Sequence, residues 1–386
     1  MKFINLQSYI LASNVKKHIF PLPSYINNGI VFIKLVTDDN IYGFGELSPY
    51  IEESYKLKNI IDKKIKPIFN GIKISEITFI RSKILKLKIP AKVKATINAS
   101  ITQAYYDILG KYKKKPIYKM LSKSGKKINK IQYYASGGML FENQDYNQLI
   151  DEAVWAQENN YVGWKFRPKT PISNPSHFQR VKNPPNFNIK EIEKFIVNLK
   201  KNLNDDFKLM IDVGCRMKEL KTAIYFCDFL KDHNFYFIEE PIKYDLLNYK
   251  ILKKATKLKI SGGESFTEIN KIQTWIKRNY INFLQPDSNL INLDDIFNLF
   301  KNEKIKKKLI LHNWCNPISM FSNLNIYKAL KSDNIIEYNV VLNPLRDEIL
   351  DNNFGSLLPS NFVNKLQGLG INISNEILKK YDISHS

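Results

Sequence analysis

Residues 208–241, KLMIDVGCRMKELKTAIYFCDFLKDHNFYFIEEP, decide how this chain is built. They open on a short apolar run that ends at Asp212, pass through an amphipathic stretch, and close on a second apolar run that ends at Glu239. Parallel strands need a long crossover between them, which a helix supplies, so the stretch is one strand–helix unit and the next strand. The same texture begins at Ile131 and repeats: IQYYASGG, VGWKFRP, KLMIDVG, FYFIEEP, LKISGGES, INFLQPD, KLILHNW and NIIEYNV are strand candidates, each followed by a helical stretch. Eight strands alternating with helices over roughly 210 residues predict a parallel β/α barrel.

Polar residues mark one level of that barrel. Lys165, Asp212, Glu239, Glu264, Asp287, His312 and Glu337 lie 47, 27, 25, 23, 25 and 25 residues apart. One βα unit has about that length, so each is expected at the C-terminal mouth of its strand, where barrels carry their chemistry. The long first gap contains residues 169–187, KTPISNPSHFQRVKNPPNF, a proline-rich segment without a period that is either a lid or a disordered insert.

Ahead of the barrel, KFINLQSYIL, GIVFIKLVTDD and NIYGFGELSP read as strands, and KLKNIIDKKIKPIF and ATINASITQAYYDILGKY as helices, with Ile97, Ile101, Ala104, Tyr105 and Ile108 at helical spacing. Residues 1–125 are therefore expected to form an α+β domain, residues 126–355 the barrel, and residues 356–386 a segment that packs back on the first domain.

The chain of 386 residues is 44% hydrophobic and 25% charged, ordinary values for a globular protein. Its net charge of +22 would suit a polyanion binder if the basic residues shared one surface. The lysines instead run through the whole sequence beside abundant Asn and Ile, which points to compositional bias and solvated helix faces, so no specific nucleic-acid partner is expected. Cys215, Cys227 and Cys315 form no CxxC pair and leave one over in any pairing, which suits a reducing cytoplasm. The first residues, MKFINLQSYILASNVKK, read as a strand and not as a signal peptide, and no 18-residue apolar run offers a membrane span. A cytoplasmic homo-oligomer acting on a small molecule is expected.

Any one acid at a strand end is ordinarily a helix cap or a surface charge. Three in register, Asp212, Glu239 and Glu264, would repel one another unless a cation sits between them. An all-oxygen set without Cys or clustered His favours Mg²⁺ or Mn²⁺ over Zn²⁺. His312 is the one histidine at a predicted strand end, and Asp287 on the neighbouring strand would fix its tautomer and raise its basicity, as a general base requires.

In order, GWKFRP, MIDVG, FIEEP, GGES, QPD, LHNW and IIEYN, behind a front domain with YGFGELSP and ASITQAYYDILGKY and ahead of NPLRDEIL and GLGI, resemble the mandelate racemase subgroup of the enolase superfamily over nearly the whole chain. The resemblance implies a modified (β/α)7β TIM barrel under an N-terminal α+β capping domain. It also implies Mg²⁺ on Asp212, Glu239 and Glu264, holding a substrate carboxylate and stabilising the enediolate formed when the adjacent carbon loses its proton. His312 with Asp287 would be the base, Lys165 would orient the carboxylate, and a protonated Glu337 would donate to the developing oxyanion. Loops around residues 20–28 and 45–55 would close over the mouth.

The departures from the family pattern carry the prediction of activity. Racemases of the subgroup place a second lysine where this chain has Arg167, and a guanidinium is a poor proton acceptor. Two-base racemization is thus disfavoured, and one-base dehydration of a sugar acid, an aldonate or aldarate, to a 2-keto-3-deoxy acid is expected. A racemase, epimerase or cycloisomerase on a related carboxylate is the alternative; outside enzymes, a metabolite binder would need no His312–Asp287 pair. Gly214 stands where Asn is common, so that substrate contact is either absent or supplied by Arg216, and Trp314 is expected beside the substrate. His177, with Arg180 and Lys182, would reach the mouth from the 169–187 segment unless that segment is a surface excursion.

Overall fold

The computed structural model describes residues 1–13, 27–49, 51–122, 131–139, 146–168, 188–314, 317–354 and 367–384. At the front, β1 (Phe3–Ser13), β2 (Asn27–Thr37) and β3 (Tyr42–Glu46) form an antiparallel sheet in that order. Phe3, Leu6, Ile10, Val31, Ile33 and Leu35 share a core with Ile97, Ile101, Ala104 and Ile108 of the helix Ala91–Tyr112. The helical stripe seen in the sequence is therefore the face that closes this domain.

Alternation on β3 sets how closely the two elements meet. Gly43 and Gly45 face the helix, and a Cβ on Gly45 would lie 2.0 Å from the Ser100 carbonyl oxygen. Backbone meets backbone there, so neither side has a rotamer to give. Gly45→Ala is expected to cost about 1–3 kcal/mol of stability by overpacking, read as a lower urea midpoint. An unchanged midpoint would show that β3 can lift off the helix freely.

The second sheet is parallel. It contains β4 (Tyr133–Met139), β5 (Gly163–Arg167), β6 (Lys208–Asp212), β7 (Phe235–Glu239), β8 (Ile260–Gly262), β9 (Phe283–Leu284) and β10 (Ile336–Asn339), in the order β10-β4-β5-β6-β7-β8-β9. Among the described residues a helix lies in each connection, including Leu220–Asp232 between β6 and β7 within the stretch first quoted. This is the α/β architecture expected, an enolase-type barrel behind an antiparallel capping sheet.

One strand candidate differs. KLILHNW, between β9 and β10, forms only a parallel bridge from Leu309 to Leu284 and no ladder. Side chains do the work of the missing ladder: Asn334 Nδ2 donates to the Leu309 carbonyl at 2.7 Å, Leu311 N to Tyr327 Oη at 2.9 Å, and Asn313 N to Glu337 Oε2 at 2.9 Å. The apolar run that reads as a strand is buried because it fills the barrel wall, not because it pairs.

The period-two rule sorts each barrel strand into two faces. Tyr134, Met210, Phe237, Phe283, Ile310 and Ile335 pack together as a plug inside the barrel. Two residues further along their strands stand Ser136, Asp212, Glu239, His312 and Glu337. Trp164 and Phe166 alternate with Lys165 and join the outer core under the helices. Each such fully buried apolar side chain contributes about 1.5–3 kcal/mol, which fixes the register that turns Lys165 inward.

The helix Pro317–Leu330 is buried on every side, wedged between the front domain and the barrel. Two of its asparagines tie it to its surroundings: Asn323 Nδ2 donates to the His312 carbonyl at 2.9 Å, and Asn325 Oδ1 accepts from Tyr118 N at 3.0 Å. The last helix, Asn375–Tyr381, leads back to β1, where Ile383 N donates to the Ile10 carbonyl at 2.9 Å. No described helix is long and apolar enough to cross a membrane. Cys227 is a buried free thiol, Cys215 Sγ donates to Glu240 Oε2 at 3.5 Å, and Cys315 lies outside the described residues.

Candidate active site

Asp212, Glu239 and Glu264 end β6, β7 and the turn after β8, and one oxygen of each lies within 4.8 Å of the other two. Glu239 is fully buried; its Oε2 meets Lys165 Nζ at 2.5 Å, while Oε1 has no hydrogen-bond partner. Burial first, and then the carboxylates of Asp212, Glu337 and Glu264, push the Glu239 carboxyl up to about 8 against the opposing pull of Lys165. An orphaned buried oxygen inside a cluster of acids is the environment a divalent cation satisfies, and an all-carboxylate set suits a hard one. The residues present fit a divalent metal.

Lys165 and Arg167 leave β5 on the same face, as their spacing requires. Lys165 is fully buried and bridges Glu239 and Glu337, the latter at 2.7 Å. Burial alone would lower its ammonium, but Glu239 and Glu337 outweigh that and raise it, so Lys165 stays charged. Arg167 Nε pairs with Asp212 Oδ2 at 3.0 Å, and its guanidinium carbon stacks 3.8 Å from the centre of the Trp314 ring. Burial opposes the charge there too, and Asp212 followed by Glu337 outweighs it, which raises Arg167 further above neutrality.

On the opposite side of the triad, His312 Nδ1 lies 3.0 Å from Asp287 Oδ2 and Nε2 lies 3.3 Å from Glu264 Oε2. The Asp287 carboxylate can only accept, so Nδ1 donates to it, while Nε2 faces the Glu264 carboxylate of the triad. Burial would lower the imidazole, yet Glu264 and then Asp287 push it up to about 10.

Glu337 was expected to donate to a developing oxyanion if protonated. Its surroundings are instead those of a carboxylate: Oε1 accepts from Ser136 Oγ at 2.6 Å and from Lys165, and Oε2 from Asn313 N. Burial would raise it, but Lys165, His312 and Arg167 together hold it down at about 2.

Arg216, expected at the substrate, turns to backbone: Nε donates to the Val213 carbonyl at 2.8 Å and Nη2 to the Pro168 carbonyl at 2.6 Å. It ties the end of β5 to the loop after β6. Trp314 sits at the mouth under Arg167, whereas His177, Arg180 and Lys182 lie outside the described residues, as do residues 20–26 of the expected capping loops. Ser136 was not foreseen, although it stands two residues after the plug residue Tyr134, the same inward alternation that selects Lys165. Asn313, beside His312, was also missed.

Comparison with known proteins agrees with this architecture. Residues 148–377 match the enolase C-terminal domain-like family and residues 9–122 the mandelate racemase / muconate lactonizing enzyme N-terminal domain. The chain belongs to the mandelate racemase / muconate lactonizing enzyme family of the enolase superfamily. It is 25% identical over 363 residues to arabinonate dehydratase of Saccharolobus solfataricus, covering 91% of this chain and 90% of that protein. Its fold superposes on the 3,6-anhydro-D-galactonate cycloisomerase of Zobellia galactanivorans with a TM-score of 0.80 at 21% identity, over 99% of each chain. It superposes on a mandelate racemase/muconate lactonizing enzyme from a Sulfitobacter species with a TM-score of 0.81 at 16% identity, over 99% of this chain and 96% of that one.

Proposed function

We propose that the protein is a Mg²⁺-dependent sugar-acid dehydratase that works with one base. The observation that carries this reading is the asymmetry of the mouth: an imidazole held by Asp287 with its Nε2 facing the acidic triad on one side, and on the other an arginine locked in its charged form by Asp212. The distant relationship to arabinonate dehydratase supports the substrate class.

Asp212, Glu239 and Glu264 would hold the Mg²⁺, which when bound supplies a Lewis acid for the substrate carboxylate and positive charge for the enediolate. Lys165 spends two of its three N–H donors on Glu239 and Glu337 and keeps one for that carboxylate. Once Glu264 is committed to the cation it would no longer hold a second proton on His312, and the neutral Nε2 removes the proton from the carbon next to the carboxylate. The electron pair of that C–H bond forms a carbon–carbon double bond as the β C–O bond breaks. The departing hydroxyl takes a proton from the His312 imidazolium and leaves as water, and the enol product tautomerises to the 2-keto-3-deoxy acid. Arg167 holds positive charge over the site and takes no proton; Glu337 serves as the counter-ion that keeps Lys165 in place.

The test is a screen of aldonates and aldarates with Mg²⁺, detecting 2-keto acid. Product formation that stops on chelation and returns with Mg²⁺ supports the reading; α-proton exchange with solvent and no loss of water overturns it. Metal binding has a second readout. Mg²⁺ at a hundredfold excess over its dissociation constant should stabilise the fold by about 2.7 kcal/mol, seen as a higher melting temperature, and Glu239→Gln should abolish that rise. A rise of the same size in the variant would move the cation elsewhere.

Restoring a lysine should shift the chemistry. In Arg167→Lys, stacking on Trp314 worth about 0.5–2 kcal/mol is lost and a titratable amine replaces a fixed charge. Dehydration should fall about tenfold or more, and α-deuterated, inverted substrate should appear in D₂O. Unchanged product with no inverted substrate would show that position 167 does not decide the outcome.

A further inference from the structure

We propose that Glu46 and Gln103 of the front domain, acting through Asn289, are positioning residues for the Asp287–His312 pair; the proposal rests on the reading of His312 as the base. The three residues close a ring of hydrogen bonds across the domain boundary, through the backbone N of Glu46 and the three side chains. Glu46 N donates to Gln103 Oε1 at 2.8 Å, Gln103 Nε2 to Asn289 Oδ1 at 2.8 Å, and Asn289 Nδ2 to Glu46 Oε1 at 3.2 Å. All three residues are fully buried.

The ring meets the base through one backbone group. Asn289 N donates to Asp287 Oδ1 at 2.7 Å, which leaves Asp287 Oδ2 for His312 Nδ1. Both oxygens of Asp287 are thereby directed, and a carboxylate held at two points cannot rotate away from the imidazole. Gln103 Nε2 also donates to the Ser288 carbonyl at 3.0 Å, so the turn Asp287–Asn289 is gripped on its backbone and on its side chain. Glu46 also reaches the first turn of the helix Pro317–Leu330: its Oε2 accepts from Ser319 N and its Oε1 from Ser319 Oγ, each at 3.4 Å. One front-domain carboxylate thus fastens the turn at Asn289 and the helix that begins after His312. The orientation of the base is set by docking of the front domain, and Gly45, packed against Ser100, delivers Glu46 to that position.

The experiment uses full-length, Mg²⁺-loaded protein labelled with [¹⁵N]histidine and follows the Nδ1–H resonance of His312, assigned by its absence in His312→Asn. In Asn289→Ala and in Gln103→Met the resonance should shift or broaden away while unfolding stays cooperative; in Glu46→Gln, which keeps an oxygen for Asn289, it should persist. Turnover on the sugar acid should fall about tenfold in the first two with KM changed less than twofold, the pattern of a misaligned base. Should Asn289→Ala not fold, Gln103→Met, which is close in volume, decides alone. An unmoved resonance in a variant that still dehydrates defeats the positioning role and leaves the proposed activity intact. A moved resonance in a protein that turns over no sugar acid sustains the positioning role and defeats the dehydratase reading.

Discussion

His312→Asn should lower dehydration by about 10²–10⁴-fold, the range for loss of a positioned general base, with KM nearly unchanged. Asparagine has about the reach of the imidazole and can still hydrogen-bond Asp287, so the loop keeps its shape while the lone pair at Nε2 disappears. The acidic triad, Lys165 and Arg167 are untouched, so Mg²⁺ should raise the melting temperature of the variant as it does that of the wild type. The measurement is steady-state 2-keto acid formation beside a melt with and without Mg²⁺. Wild-type turnover in the variant would remove His312 from the mechanism; loss of the metal-dependent stabilisation would mean that the substitution had disturbed the triad.

Lys165→Met should have the largest effect on the fold. Lys165 is fully buried between Glu239 and Glu337, and deleting one partner of a buried ion pair costs about 3–5 kcal/mol because the remaining charge is left without compensation. The sign of the pH dependence follows from Glu337. Its folded value of about 2 lies below the ordinary 4.5, so its contribution is present above pH 4.5 and is lost as the pH falls through 2. The lysine is what opposes burial most strongly at Glu337. The deficit of Lys165→Met should therefore be full at neutral pH and shrink as the pH falls from 4.5 toward 2, where wild type and variant both carry protonated acids. Urea midpoints at pH 7 and pH 3 read the difference. A deficit that does not shrink in acid would mean that the methionine fails through packing and not through unpaired charge.

The strand-end residues were legible because a barrel confines chemistry to one position per unit. A 25-residue recurrence of acids after apolar runs already put Asp212, Glu239 and Glu264 at one height, and Asp287 beside His312. The β5 pair was legible from alternation alone. What the sequence hid was carried by contacts with no local period. Glu46 and Asn289 meet across 243 residues, and Gln103 and Asn289 across 186. Each is an ordinary polar residue in an ordinary-looking turn or helix, so only their burial together marks them. The hold of Arg216 on two backbone carbonyls was likewise hidden, because no local pattern brings Pro168 beside it. The charge state of Glu337 was left open because it depends on Lys165 and Arg167 on a strand two places around the sheet, a neighbourhood that spacing does not reveal. The eighth wall segment was taken for a strand because burial and pairing leave the same apolar signature in a short run.

The central claim is that the mouth holds one working base and expels water. The direct measurement is the reaction of a turned-over sugar acid in D₂O with Mg²⁺, followed by NMR of both product and recovered substrate. The account predicts a 2-keto-3-deoxy acid with deuterium at the carbon that lost its hydroxyl, and recovered substrate without inversion at the carbon next to the carboxylate. Inverted, deuterated substrate accumulating without any 2-keto acid would contradict it.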